Sequence, residues 1–425
     1  MKLLPYWLDT AKSAGDFRRN ELPARADVVV VGAGLTGLST ALHLSRRGAQ
    51  VALLDAHTVG WGASGRNGGM ATTGLAISFA TGVKRYGSGP AAAMFRSYND
   101  AIDTLEELVE TEGIDCSFER TGKLTLAVKP SHYRDFEKSA ALMRELAGQE
   151  VHLVPRSRIR DEIGSPYYHG AMVDPLGAAV HVGRLAAGLA ASAAANGVSI
   201  HEECRVVGFT RRGTHAHDVR TELGTIRAEQ VVVGTSGYTG GLTPWLRRRI
   251  VPIGSFIVVT EPLAKSVVEE LLPNRRVASD TKHLTYYFRI TPDDRLLFGG
   301  RARFALSNQD SDRKSGRILR RAMVEVFPQL ADIRIDYCWG GLVDMSLDQM
   351  VHAGQRDGLF YSLGYSGHGV QMATHMGKVL AQVLAGEPAA NPWRDLKFRA
   401  IPGHFGPPWF LPPAGVFFKF LDRIS

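Results

Sequence analysis

An α/β fold is predicted, in which a parallel β-α-β unit is interrupted by an α+β layer built on a mixed or antiparallel sheet. Three observations predict it. Asp27–Val31 is a buried-type apolar run, followed by Gly32-Ala-Gly34-Leu35-Thr36-Gly37, a helix-periodic stretch to Leu44 and a second apolar run, Val51–Asp55. Another such run, Glu229–Val233, ends in small residues at Gly234-Thr235-Ser-Gly237-Tyr238. The last, Leu359–Leu363, passes into Gly364-Tyr-Ser366-Gly367-His368-Gly369-Val370 and a helix to about Leu384. Continuous apolar runs are the mark of parallel strands covered on both faces. Long stretches separate them, so the parallel unit is discontinuous, at 25–85, 170–240 and 335–387. The inserts 90–165 and 245–330 form the other layer, and 388–425 is a C-terminal extension.

The spacing Gly32, Gly34, Gly37 is G-x-G-x-x-G between a strand and a helix. Gly32 permits a tight turn, Gly34 lets backbone approach a pyrophosphate, and Gly37 lets the helix pack close on the strand. Leu35 and Thr36 open that helix, whose unpaired N–H groups and positive dipole end face the phosphates. Asp55 follows about 20 residues on, where a carboxylate accepts hydrogen bonds from a ribose. The unit is therefore of Rossmann type. The motif alone leaves FAD and NAD open.

The remaining elements follow in order. Residues 1–25 read as a lead-in arm, and 60–70 as a glycine-rich loop. Ala91–Glu110 carries Phe95, Tyr98, Ile102, Leu105 and Leu108 at helical spacing. Leu124–Val128 reads as a strand and Tyr133–Leu146 as a helix; His181–Ala195 is an alanine-rich helix closed by Asn196-Gly197. Ser199–His201 and Arg205–Thr210 are strands. Ile253–Thr260, Tyr286–Ile290 and Arg295–Phe298 are strands of a second sheet, and Ser315–Phe327 is a helix.

Composition narrows the class. The chain has 425 residues, enough for two connected domains, and a formal charge of +8. Arg211-Arg212 and Arg247-Arg248-Arg249 are basic clusters, read as solvated surface, as attraction for an anionic substrate, or as peripheral contact with an acidic membrane. No nucleic-acid motif accompanies them. No apolar run reaches about 18 residues, and the N-terminus lacks the pattern of a signal peptide. Cys116, Cys204 and Cys338 show no metal spacing and suit a reducing cytoplasm.

Three segments together resemble the FAD-binding parts of the D-amino-acid oxidase superfamily, in its glycine and sarcosine oxidase branch: the first β-α-β unit, Val231–Tyr238 and the Gly364–Gly369 turn. The loop Gly62-Ala63-Ser64-Gly-Arg66-Asn67-Gly68-Gly69-Met70 resembles a narrower group, the bacterial gamma-glutamylputrescine oxidases. The resemblance spans almost the whole chain and implies FAD. The Ser64–Gly69 amides can reach pyrophosphate and flavin edge. Arg66 can pair with phosphate, and the helix after Gly369 can stabilise charge on the flavin's pyrimidine side. Val206 is implied as a backbone contact to adenine. Covalent-flavin relatives use a His in the first loop or a Cys near Trp339; here Asn67 and Gly341 stand there, which implies non-covalent FAD. The relatives' substrate-clamping cations correspond to Gln371 and Gly74, and their oxygen-activating Lys to Leu296 or Leu297.

The implied reaction takes two electrons from an amine C–H, passing hydride to flavin N5, and hydrolyses the imine to an aldehyde and an amine or ammonia. Oxygen is the expected acceptor, giving hydrogen peroxide; the alternative is a dehydrogenase feeding a membrane carrier. Tyr287 and Arg289 share one side of their strand. Tyr287 can face a cationic amine, and Arg289 or Arg301 can hold a distant carboxylate. His368 and Gln371 border the expected flavin, with His368 serving as a base or only as part of its turn; Asp344 and Asp348 can touch substrate or ribityl chain, or simply cap. An aromatic hydroxylase would carry a Gly-Asp motif, and a disulfide reductase a second G-x-G-x-x-G and a Cys pair. A non-catalytic FAD-binding scaffold is the remaining class. The apolar stretch 405–421 either packs on the protein or lies on a membrane, and oligomeric state is open.

Overall fold

A computed structural model describes residues 1–18, 20–300, 309–406, 408–411, 413, 415, 417 and 422. Arg301 lies outside these, as do 407, 412, 414, 416 and 418–421 of the apolar C-terminal stretch.

Two large sheets organise the chain. The first runs, in spatial order, His352–Arg356, Leu359–Leu363, Thr225–Val233, Arg25–Val31, Val51–Leu54, Ser199–His201. Arg25–Val31 pairs in parallel with both Thr225–Val233 and Val51–Leu54. Val28 to Val31 and Val231 to Val233 are buried, as strands covered on both faces require. Val206–Arg211 and His217–Thr221 extend this sheet as an antiparallel flap.

The second sheet is mixed. Its order is Ile335–Ser346, Ile250–Thr260, Leu296–Gly300, Tyr286–Ile290, Val277–Asp280, Lys123–Leu126, Gly170–Asp174, His152–Pro155. One pair, Val277–Asp280 with Lys123–Leu126, is parallel; the others are antiparallel. Strand alternation sorts its residues. Leu124, Leu126, Ala278, Phe288, Phe298, Phe256, Val258 and Cys338 bury one face against Leu319, Met323 and Val326 of the helix Gln309–Val326. The other face turns towards the first sheet. A separate core joins that side to the helices Leu35–Ser45, Ser88–Thr111, Val182–Ala195 and Gly369–Leu384.

Two segments differ from the expected division of the chain. Gly170–Asp174 and Ile335–Ser346, grouped by sequence with the parallel unit, pair in the second sheet. Ile335–Ser346 is a border strand: a Cβ on Gly341 would stand 3.0 Å from Cβ of Arg66 in the glycine-rich loop. It pairs with Ile250–Thr260 in a single register from Ile250 to Val259, with a shift at Thr260, yet touches both units. The lead-in arm also differs. Tyr6–Thr10 is a short helix with Trp7 fully buried. The Trp7 indole N–H donates to the Asn67 carbonyl at 2.7 Å, and Lys2 adds a bridge beside Tyr337. Apolar burial of one aromatic ring turns the arm into a strut under the loop.

Candidate functional site

A cleft of about 1000 Å³ runs between the two sheets. That is the upper end of the range for cofactor and substrate pockets. At its base the first glycine turn is shaped by contact. Gly32 has φ +108°, and a Cβ on it would meet the Gly234 carbonyl oxygen at 2.9 Å. A Cβ on Gly37 would stand 1.9 Å from the Gly32 carbonyl oxygen, so the helix lies directly on the turn. Gly34, Leu35 and Thr36 line the cleft; the Leu35 N–H donates to Ser64 Oγ at 2.9 Å. Thr36 Oγ1 lies 2.7 Å from the Tyr365 hydroxyl, which ties this helix to the Gly364–Gly369 turn.

Asp55 lines one end. Its carboxylate accepts from the Ala33 N–H at 2.7 Å and the His57 N–H at 2.8 Å. Burial pushes its pKa up, and these two bonds oppose the rise. Val206 lies at the same end, beside Arg205. Thr235 lines the middle, with Ala63, Ser64, Arg66, Asn67, Gly68 and Met70 on the loop side. Ser366, Gly367, His368, Gly369 and Val370 close the far end. Tyr287 stands on the floor sheet, its hydroxyl 3.0 Å from Ser255 Oγ.

Several expected residues support the cleft without lining it. Gly37 backs onto Gly32. Gly69, at φ +66°, gives its carbonyl to the Val180 N–H, and a Cβ on it would meet the Val180 carbonyl oxygen. Gly237 lies against Leu342, and the Gly364 N–H donates to Asp344 Oδ2 at 2.7 Å.

Arg289 is the larger correction. It is on the Tyr287 side of its strand but 3 % exposed, below the cleft rather than in it. Its guanidinium donates to the carbonyls of Gly69, Val180 (3.0 Å) and Ile290 (3.1 Å). Burial pushes its pKa down to about 10, so it stays charged at neutral pH. Three of its five N–H donors go to the backbone of the frame. Gln371 likewise does not line the cleft: it is buried behind Thr72, whose carbonyl accepts from its amide at 2.6 Å, while Oε1 has no partner. Arg66 donates to the carbonyls of Trp61 (2.8 Å) and Gly340 (3.2 Å) and stacks over Trp61, so it fastens the loop to the border strand.

His368 lines the cleft with Nδ1 unpartnered, its ring edge-on to Tyr98. Burial, then the charge of Lys123, pushes its pKa down to about 3. The imidazole is neutral and a weak base. Asp344 is buried, with its pKa pushed up to about 6 by burial against hydrogen bonds from the Gly364–Tyr365 backbone and Ser236. Asp348 lies further along, bonded to His352 at 3.0 Å. Sequence reasoning missed Lys123, Ser255 and Ser279 on the floor. A lone Lys or Ser at a strand position carries no motif, and only strand pairing reveals the shared face. Among the described residues, no group of His, Cys, Asp and Glu could hold a metal, and no helix is long and apolar enough to cross a membrane.

The family model described as FAD dependent oxidoreductase matches residues 27–383. The chain is 31% identical over 384 residues to gamma-glutamylputrescine oxidoreductase of Escherichia coli, covering 90% of this chain and 89% of that one. It is 31% identical over 388 residues to probable oxidoreductase OrdL of Haemophilus influenzae, covering 90% and 88%. Glycine oxidase of Geobacillus kaustophilus superposes with a TM-score of 0.71 at 21% identity, covering 91% of this chain and 99% of that one; this likeness is one of fold.

Proposed function

The chain belongs to the family of FAD dependent oxidoreductases, and from that premise we propose that it oxidises an amine of the gamma-glutamylputrescine type. The enzyme is an FAD-dependent amine oxidoreductase. The cleft fits the group on its own geometry: side-chain-free backbone at Gly32 and Gly34, an acid at one end, and a neutral, unpartnered imidazole nitrogen at the other. When bound, FAD supplies a two-electron acceptor for the amine C–H.

The assignments of single residues are part of the proposal. Asp55 would hold the ribose, Val206 the adenine, and Gly32–Thr36 with Ser64 the pyrophosphate. Asn67, Gly68, Met70 and Ser366–Val370 would border the flavin. The 25–85, 170–240 and 335–387 pieces would form the FAD unit, except that Gly170–Asp174 belongs to the second sheet and the border strand is shared. Tyr287 and Ser255 would orient the substrate, and the largely apolar walls would favour the uncharged amine.

One observation carries the substrate reading. Where relatives clamp a carboxylate beside the reacting carbon, this chain has Gly74, with no side chain, and Gln371, with its amide turned onto Thr72. An unpaired carboxylate there would be costly to desolvate. An amine with its carboxylate at the distant end avoids that cost. Gamma-glutamyl-putrescine is therefore expected to reduce the bound flavin at least about tenfold faster than sarcosine, glycine or D-alanine, which corresponds to about 1.4 kcal/mol of discrimination. Anaerobic stopped-flow absorbance is the check. Sarcosine or D-alanine matching the conjugate would refute the reading.

Oxygen is the proposed acceptor. The dehydrogenase reading is favoured by buried Leu296 and Leu297 where relatives have a Lys. Oxygen uptake compared with dye reduction separates the two. The flavin is expected to be non-covalent. The Asn67 amide is engaged within the loop, donating to the Ala63 and Ser64 carbonyls, and Gly341 has no side chain. Cys338 lies on the opposite face of its strand, its thiol donating to the Asp312 carbonyl. Acid precipitation should leave all the yellow colour in the supernatant; colour in the pellet would contradict this.

A further inference from the structure

We propose that Lys123 is the residue that reads the carboxylate of the substrate. The inference rests on the reading above that the amine carries a carboxylate. Lys123 opens a floor strand and lines the cleft. Its pairing opposite Val277 places it on the face shared by Ser279, which in turn pairs with Tyr287. Lys123, Ser279 and Tyr287 thus share one face of three adjacent strands, with Lys123 two residues along from the Ser279–Tyr287 pair. His368 lines the same cleft, and its imidazole feels the Lys123 charge.

The ammonium is under-used. It donates to the Thr73 carbonyl at 3.1 Å. No carboxylate lies within ion-pair distance of it among the described residues. Asp174 is the acid whose charge it senses. That carboxylate already accepts from Thr73 Oγ1 at 2.7 Å, Gln149 Nε2 at 3.0 Å and the Leu176 N–H at 3.1 Å. A lysine ammonium has three donors, so two remain for a ligand. Burial pushes the Lys123 pKa down, and an arriving anion opposes that push. The arginines lining the cleft serve elsewhere. Arg66 is committed to backbone carbonyls, and Arg205 sits at the Asp55 end. Arg289 is on the Tyr287 side of the sheet but lies outside the cleft, against Gly69 and Val180. Lys123 is the lining cation that the floor sheet offers.

The test compares the wild type with Lys123→Met and Lys123→Arg, each purified with bound flavin. Gamma-glutamyl-putrescine, putrescine and sarcosine are the reductants. The non-oxidisable gamma-glutamyl-n-butylamide is titrated by its perturbation of the flavin absorbance. Loss of one partner of a desolvated charge pair should weaken binding of the conjugate and of the butylamide about thirtyfold in Lys123→Met. Putrescine, which has no carboxylate, should change by less than about twofold, and Lys123→Arg should recover part of the loss. A variant that keeps the wild-type preference for the conjugate, or loses all three amines equally, overturns the inference. A wild type that prefers sarcosine, with that preference lost in Lys123→Met, overturns the substrate reading while Lys123 keeps its role. A wild type indifferent to any carboxylate overturns both.

Discussion

Gly37→Ala is expected to yield protein with almost no bound flavin, or no soluble protein. The added methyl would sit 1.9 Å from the Gly32 carbonyl oxygen, a backbone atom with no rotamer to change. Relief requires the helix Leu35–Ser45 to lift from the turn, at a cost of more than about 3 kcal/mol. The same displacement opens the Thr36–Tyr365 link between this helix and the Gly364–Gly369 turn. The ratio of flavin to protein absorbance after purification measures the effect. Gly89→Ala is the control, because a Cβ there meets nothing within 4 Å. A Gly37→Ala protein with one flavin per chain would mean that the turn does not have this geometry.

Arg289→Met should be the most damaging change at a charged residue outside the cleft. Methionine fills much of the volume but leaves the Val180 and Ile290 carbonyls without this donor and takes one from Gly69. Buried groups left unsatisfied cost about 1–3 kcal/mol each, so the midpoint of thermal unfolding should fall by roughly 5 °C or more. Thermal release of flavin fluorescence reports it. The preference for the conjugated amine should survive, since Arg289 does not line the cleft. Unchanged stability with a selective rise in KM for the conjugate would restore Arg289 to the substrate site.

What was legible in the sequence follows from what each motif constrains. The glycine turns were readable because backbone contact leaves no other residue: Gly32 and Gly37 meet carbonyl oxygens at distances no Cβ tolerates. Parallel strands were readable as uninterrupted apolar runs. Arg289 was misplaced because alternation gives the side of a strand and not the depth along it. Tyr287 and Arg289 do share a side, yet the first meets the cleft and the second meets Gly69. Lys123 stayed hidden because its meaning comes from a parallel partner far along the chain, Val277–Asp280. The border strand was grouped with Leu359–Leu363 in the piece 335–387, while its hydrogen bonds run to Ile250–Thr260. Trp7 could be placed only once Asn67 was seen above it.

The order of strands in the first sheet bears on how the chain is made. Arg25–Val31 leaves a ribosome about 200 residues ahead of its flanking partner Thr225–Val233, and further still ahead of Leu359–Leu363. At about 5–20 residues per second, the glycine turn waits tens of seconds for the sheet that buries it. Such distant pairings make folding slow and leave apolar edges open to other chains meanwhile. Nascent chains halted before Leu363 should therefore bind chaperones and hold no flavin, however complete their dinucleotide motif.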